Sequence, residues 1–163
     1  WHRQLTAAVL AQPEGTFCAS TNRIRCPFQS VEGVDKKNHD MWYHRDLGKK
    51  LLTNTNLTDV TDQVRTPAGF LMMLSKQAWK DMGTFPDGLT LWDKSAWQAL
   101  KHVGRRIYHI EGLYLYHWHR GGGPNADPEM KQAPWVKRHI FPDGTVWERK
   151  GGVFADGTKA RWD

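Results

Sequence analysis

Apolar positions recur at helical spacing in two parts of the chain. In residues 2–11 (HRQLTAAVLA), Leu5 and Val9 share a face with Ala8 beside them, and Pro13 and Gly15 follow as stops. From Asp93 to Gly104, the stripe Ala96, Trp97, Leu100 and Val103 falls at i, i+1, i+4 and i+7. Asp93 is placed to cap that helix and Gly104 to end it. A third, shorter helix is predicted over KQAWKDM, with Ser75 as N-cap and Gly83 as terminator. Strand signals lie between these segments. Thr16 to Ile24 reads as extended, and GFLMML (Gly69 to Leu74) is an apolar run of strand length between Pro67 and Ser75. Arg106–Ile110 and Leu113–His117 predict two strands parted by Glu111-Gly112. Residues 27–66 are polar and irregular and predict a long functional loop region with a short helix around Met41–Leu52. A turn is expected at Asp87-Gly88, and Arg120-Gly-Gly-Gly-Pro124 is a strong breaker. Beyond it, Phe141-Pro-Asp-Gly-Thr-Val-Trp147 and Phe154-Ala-Asp-Gly-Thr158 predict two short hairpins, which do not amount to a repeat architecture.

Composition narrows this picture. The 163 residues suit one ordinary domain. The longest apolar stretch, Ala68 to Leu74, is far below the roughly 18 residues of a membrane span. The 15 Gly and 8 Pro scattered along the chain argue against a coiled coil. A net charge of +6 favours anionic partners. The bases occur in pairs such as Lys36-Lys37, Lys49-Lys50 and Arg105-Arg106 rather than in a polybasic arm. Cys18 and Cys26 do not form a CxxC, and no second pair completes a four-thiolate zinc site. A local disulfide is geometrically possible; two buried or free thiols in a reducing compartment is the expected state. With no secretory or lipidation signal in view, a cytoplasmic location is expected. The nine Trp fit either packing or a sugar-stacking surface.

The Walker, dinucleotide-binding, HExxH and GxSxG motifs are all absent. In Tyr116-His117-Trp118-His119-Arg120, a strand would put His117 and His119 on one face. Two such imidazoles can bind a divalent cation, and Arg120 with the glycine loop can hold a phosphate. They can equally be packed or solvent-facing histidines. Asp93 is either the helix cap or a carboxylate at a cleft, acting as general base on a hydroxyl.

Together, Gly69-Phe-Leu-Met-Met-Leu-Ser-Lys, Trp79, Gly83-Thr-Phe-Pro, Trp92-Asp93, Gly104-Arg-Arg-Ile and Tyr114-Leu-Tyr-His-Trp-His-Arg120 resemble the acceptor-side half of a family 2 glycosyltransferase with the GT-A fold. Thr21-Asn22-Arg23-Ile24 resembles a segment of some bacterial and phage-type members. The resemblance covers residues 1–122, leaving 123–163 as a Trp-rich basic tail with short β-hairpins. It implies an α/β fold, an incomplete GT-A domain with a mixed sheet and flanking helices. It also implies an inverting transfer from a nucleotide-sugar donor to a carbohydrate or other hydroxyl acceptor. Asp93 falls on the catalytic base, and His117 on a ligand of Mn²⁺ or Mg²⁺, with His119 as the second choice. Arg120, Gly121 and Gly122 fall on the donor-phosphate loop, and Trp92 and Gly69 on the acceptor side. Trp92 stands where the family usually has Glu, and Ser95 where an acidic residue is common. The Asp-x-Asp motif that shares the metal is not found, so the chain is expected to start just after it. As it stands, the chain would lack the donor-binding half, or take it from a partner subunit, and be inactive alone. The contrasting expectation is a non-catalytic module. Its basic tail (Lys137, Arg138, Arg149, Lys150, Lys159, Arg161, with Trp135, Trp147 and Trp162) would contact nucleic acid or another subunit.

Overall fold

The computed structural model describes residues 1–24, 26–35, 37–63, 66–83, 92–118, 138–144, 146–150 and 153–154. At its centre two parallel strands lie side by side: β1 (Thr16–Ser20) and β4 (Ile107–Tyr114). An edge strand, β2 (Leu57–Asp59), runs antiparallel to β4. On the other side β3 (Met73–Leu74) runs antiparallel to β1. The result is a four-stranded mixed open sheet in the order β2-β4-β1-β3. Helices α1 (His2–Ala11) and α2 (Met41–Leu51) pack on β4. Helices α3 (Lys76–Met82) and α4 (Trp92–His102) pack on each other. The fold is α/β.

All five residues of β1 are buried, as a strand covered on both faces should be. Alternation sends its side chains to two cores. Cys18 joins Trp97, Leu100, Met82, Ala78, Ile107 and Val60 on the α3–α4 side. Phe17 and Ala19 join Ile110, Leu113 and Ala8 on the α1 side. Trp97 and Leu100 are completely buried, so the predicted stripe of α4 is the wall of the first core. Replacing a buried ring of that size with Ala costs about 3–5 kcal/mol. Cys18 and Cys26 are both buried free thiols. Burial pushes the Cys18 thiol well above its usual range, and the neighbouring Cys26 adds to the rise.

Ser75 caps α3 as expected, its Oγ accepting from the Ala78 N–H at 3.0 Å. Gly83, at φ +93°, follows the helix in a backbone conformation that favours glycine. Other expectations are corrected. Helix α4 already includes Trp92, so Asp93 lies inside its first turn and is not its N-cap. On α1 the buried residues are Gln4 and Ala8, while Val9 is exposed. Gln4 is drawn inward because its Nε2 donates to the Gly112 carbonyl at 2.7 Å. The two strands expected around Glu111-Gly112 are one. The break is absorbed as a bulge: Ala19 pairs with Ile110, and Ser20 with Tyr114. Gly112 fits there because a Cβ would overlap the carbonyl oxygens of Asn54 and Leu51. The apolar run at 69–74 yields only the short β3. Its earlier backbone groups bond to side chains instead, Ala68 N–H to Gln29 Oε1 (2.7 Å) and Gly69 N–H to Asp93 Oδ2 (2.9 Å). The polar stretch 27–66 is more ordered than its composition suggests. It contains a 3-10 turn at Pro27–Gln29 and strand β2 besides the expected helix.

In the tail, β5 (Arg138–Ile140), β6 (Val146–Lys150) and β7 (Val153–Phe154) form an antiparallel sheet. The first expected hairpin is β5–β6, with His139 opposite Trp147. The second, at Asp156-Gly157, lies outside the described residues, as does the turn at Asp87-Gly88. Phe141 stacks on His102 at 4.8 Å and is part of the core around Trp97. Among the described residues, no helix is long and apolar enough to cross a membrane.

Candidate functional site

The carboxyl ends of parallel strands are where open α/β sheets place ligands, because loops diverge there and leave a crevice. Here β1 and β4 deliver residues 20–22 and 114–118 to that end. β3 runs against β1, Phe17 facing Met73, so the preceding residues 69–70 reach the same end.

Asn22 ties the two parallel strands together beyond their last ladder bonds. Its Oδ1 accepts from the His117 N–H at 2.8 Å, and its Nδ2 donates to the His117 carbonyl at 3.1 Å. Asn22 is completely buried, and the side chain stands in for a missing strand residue. Thr21 Oγ1 lies 2.9 Å from Asn22 Oδ1 and 2.5 Å from the Leu115 carbonyl. Gln29, also fully buried, does the same on the other side of β1: Nε2 donates to the Ala19 carbonyl at 3.0 Å and Oε1 accepts from Ala68. Ser20 Oγ donates to the Glu111 carbonyl at 2.7 Å. Its one proton is thus used, and His109 Nε2, 3.0 Å away, must carry the hydrogen of that second bond.

His117 itself is half-buried, with Phe70 packed edge-on to the imidazole at 5.7 Å. Burial lowers its pKa and favours the neutral ring, the form in which an imidazole can ligate a metal. Asp93 reaches the adjoining residue. Its Oδ2 accepts from the Gly69 N–H, and its Oδ1 from the Lys94 N–H at 2.8 Å. A Cβ on residue 69 would overlap Asp93, so this close approach requires glycine. Asp93 and His117 are therefore held by consecutive residues, Gly69 and Phe70, although 24 positions separate them in sequence.

The structure thus brings together Asp93, Gly69 and His117 among the residues singled out from sequence. Gly69 spends its N–H on Asp93 itself. Trp92 contributes the first backbone unit of α4, and its side chain lies outside the described residues. His119, Arg120, Gly121 and Gly122 also lie outside them. Among the described residues, no group of three or more His, Cys, Asp or Glu is arranged to hold a metal ion. The donor that fits one is the single neutral imidazole of His117. Sequence reasoning passed over Asn22 as an individual residue, along with Gln29, Phe70 and His109. Their roles come from pairings across 10 to 95 positions, which no local pattern signals.

Comparison with known protein families, curated proteins and solved structures returned no match.

Proposed function

We propose that this chain is the acceptor-side part of an inverting, GT-A-type glycosyltransferase. The observation that supports this reading is that Asp93 and His117 contact consecutive residues, Gly69 and Phe70, at the carboxyl end of the parallel pair. A base for the acceptor and a donor atom for a cation are what transfer from a nucleotide sugar needs side by side.

Asp93 takes the proton of the acceptor hydroxyl. The acceptor oxygen then bonds to the anomeric carbon, and the bond from that carbon to the diphosphate breaks on the opposite face. The nucleoside diphosphate leaves with the electron pair, and the configuration is inverted. The Gly69 and Lys94 N–H groups hold the carboxylate in one orientation and leave a lone pair on each oxygen for the incoming proton. His117 would be one ligand of a Mn²⁺ or Mg²⁺ ion, shared with an acidic motif that this sequence does not show; such an ion, when bound, would neutralise charge on the leaving diphosphate. Asn22 fixes the backbone on which that imidazole sits.

The test is nucleoside diphosphate release from a panel of nucleotide sugars, using the full-length protein with Mn²⁺. Asp93→Asn is close in size, loses one of the two backbone acceptors and removes the base, and should lower turnover by about 10²–10⁴. Transfer at the wild-type rate by Asp93→Asn would overturn the assignment.

A further inference from the structure

We propose that the aromatic face shared by α2 and the segment after β4 is a binding platform for a neutral saccharide and holds the acceptor chain, a purpose that rests on the glycosyl-transfer reading. Leu115 and His117 turn toward the sheet core and Phe70. Tyr114, Tyr116 and Trp118 turn the other way, toward α2 and the residues before it.

The rings on that side form a buttressed series. His44, only 2% exposed, donates from Nε2 to the Asn38 carbonyl at 2.7 Å, so its Nδ1 accepts from the Tyr114 hydroxyl at 2.7 Å. The same imidazole stacks on Tyr116 at 4.1 Å. The Tyr116 hydroxyl bonds to His39 Nδ1, and His39 stacks on Trp118 at 4.8 Å. Trp118 ends the series 59% exposed. On α2, Trp42 is 68% exposed, with the Arg45 guanidinium 4.2 Å from its centroid on one face. Asp40 caps α2 through the Trp42 and Tyr43 N–H groups, which fixes the start of that helix.

The bonds behind the exposed indoles, Tyr116 to His39 and Asp40 to the start of α2, are themselves at the surface, and the indoles add little burial to the fold. They provide flat apolar surface, and for Trp118 the stack on His39 meets part of the ordering cost before a ligand arrives. A pyranose suits such a surface, since its C–H face is apolar and its hydroxyls point outward to a polar rim. Here the rim is His39, Asn38 and Arg45. The charge balance favours a neutral ligand over a polyanion. Residues 32–50 carry Glu32, Asp35, Asp40 and Asp46 against Lys36, Lys37, Arg45, Lys49 and Lys50. Arg45 and Lys49 are both paired with Asp46.

The experiment is titration of the full chain with neutral hexasaccharides of glucose, mannose, galactose and N-acetylglucosamine, followed by tryptophan fluorescence and calorimetry. At least one should bind. Trp118→Ala should weaken that binding about tenfold, and Trp118→Phe much less. Arg106→Ala, at the other end of the sheet, should bind as the wild type does. Binding weakened by Trp118→Ala, together with wild-type transfer by Asp93→Asn, would sink the base assignment and leave the platform standing. Absence of binding by all four sugars, or binding indifferent to Trp118→Ala, would overturn the platform. So would preferential binding of oligothymidylate that is lost steeply with salt and in the same variants.

Discussion

The two ends of the β1–β4 pair are held by different means. At the amino end ion pairs predominate, beside one buried bond from the Ile107 N–H to Thr61 Oγ1 at 2.8 Å. Arg105 bonds through Nε to Asp81 at 2.9 Å and through a terminal nitrogen to Glu14 at 2.5 Å. Arg106 reaches Asp59 at 2.7 Å. Such pairs tolerate change, because water replaces a lost partner. At the carboxyl end the contacts are amides, hydroxyls and an imidazole: Asn22, Gln29, Thr21, Ser20 and His109, all buried. There a lost partner leaves a polar group dry. A fold that needed only stability could fill that end with apolar side chains. Keeping buried amides instead fixes the backbone of residues 68 and 117, which flank Asp93 and carry the His117 ring. The comparison separates an end that closes the molecule from an end that positions chemistry.

The largest effect should come from cutting the amide bridge. Asn22→Ala strands the N–H and carbonyl of His117 and should cost about 2–4 kcal/mol. Arg105→Ala, at the other end, should shift the urea midpoint less, and less again at high salt. Equal midpoints for the two variants would break the contrast.

A smaller effect concerns pH. Burial lowers the His109 pKa, against a weaker upward pull from Glu111. The folded state therefore keeps the neutral ring where the unfolded chain, near pH 6.5, takes up a proton. The stability this group contributes is complete above that pH. It is lost as pH falls from there toward the folded pKa, then levels off. Urea melts between pH 7.5 and 5 should show the decline, and His109→Gln should make it shallower. A slope unchanged in His109→Gln would assign the effect elsewhere.

Much of the scaffold was legible in the sequence. Helical spacing marked Trp97 and Leu100, and a single Ser before an amphipathic run marked the α3 cap. What failed had a common cause. Glu111-Gly112 looks like a turn locally, yet tertiary bonds from Gln4, Ser20 and the Asn54–Thr58 segment carry β4 straight through it. Phe70 and Leu71 look like a strand, but the N–H groups just before them go to Gln29 and Asp93. At the candidate site, Asp93 and His117 stood out by residue type and order. Their convergence on Gly69-Phe70, and the amides that hold it, depend on partners distant in the chain.

The most direct test of that convergence is the turnover of full-length Gly69→Ala. The added methyl overlaps the Asp93 Cβ, so the start of α4 or the turn at residue 69 must shift, and the melting temperature monitors that cost. In protein that remains folded, turnover should fall about 10–100-fold, as misplacing a base by an ångström would do. Wild-type turnover in Gly69→Ala would contradict the proposal that Asp93, held where Gly69 holds it, is the base.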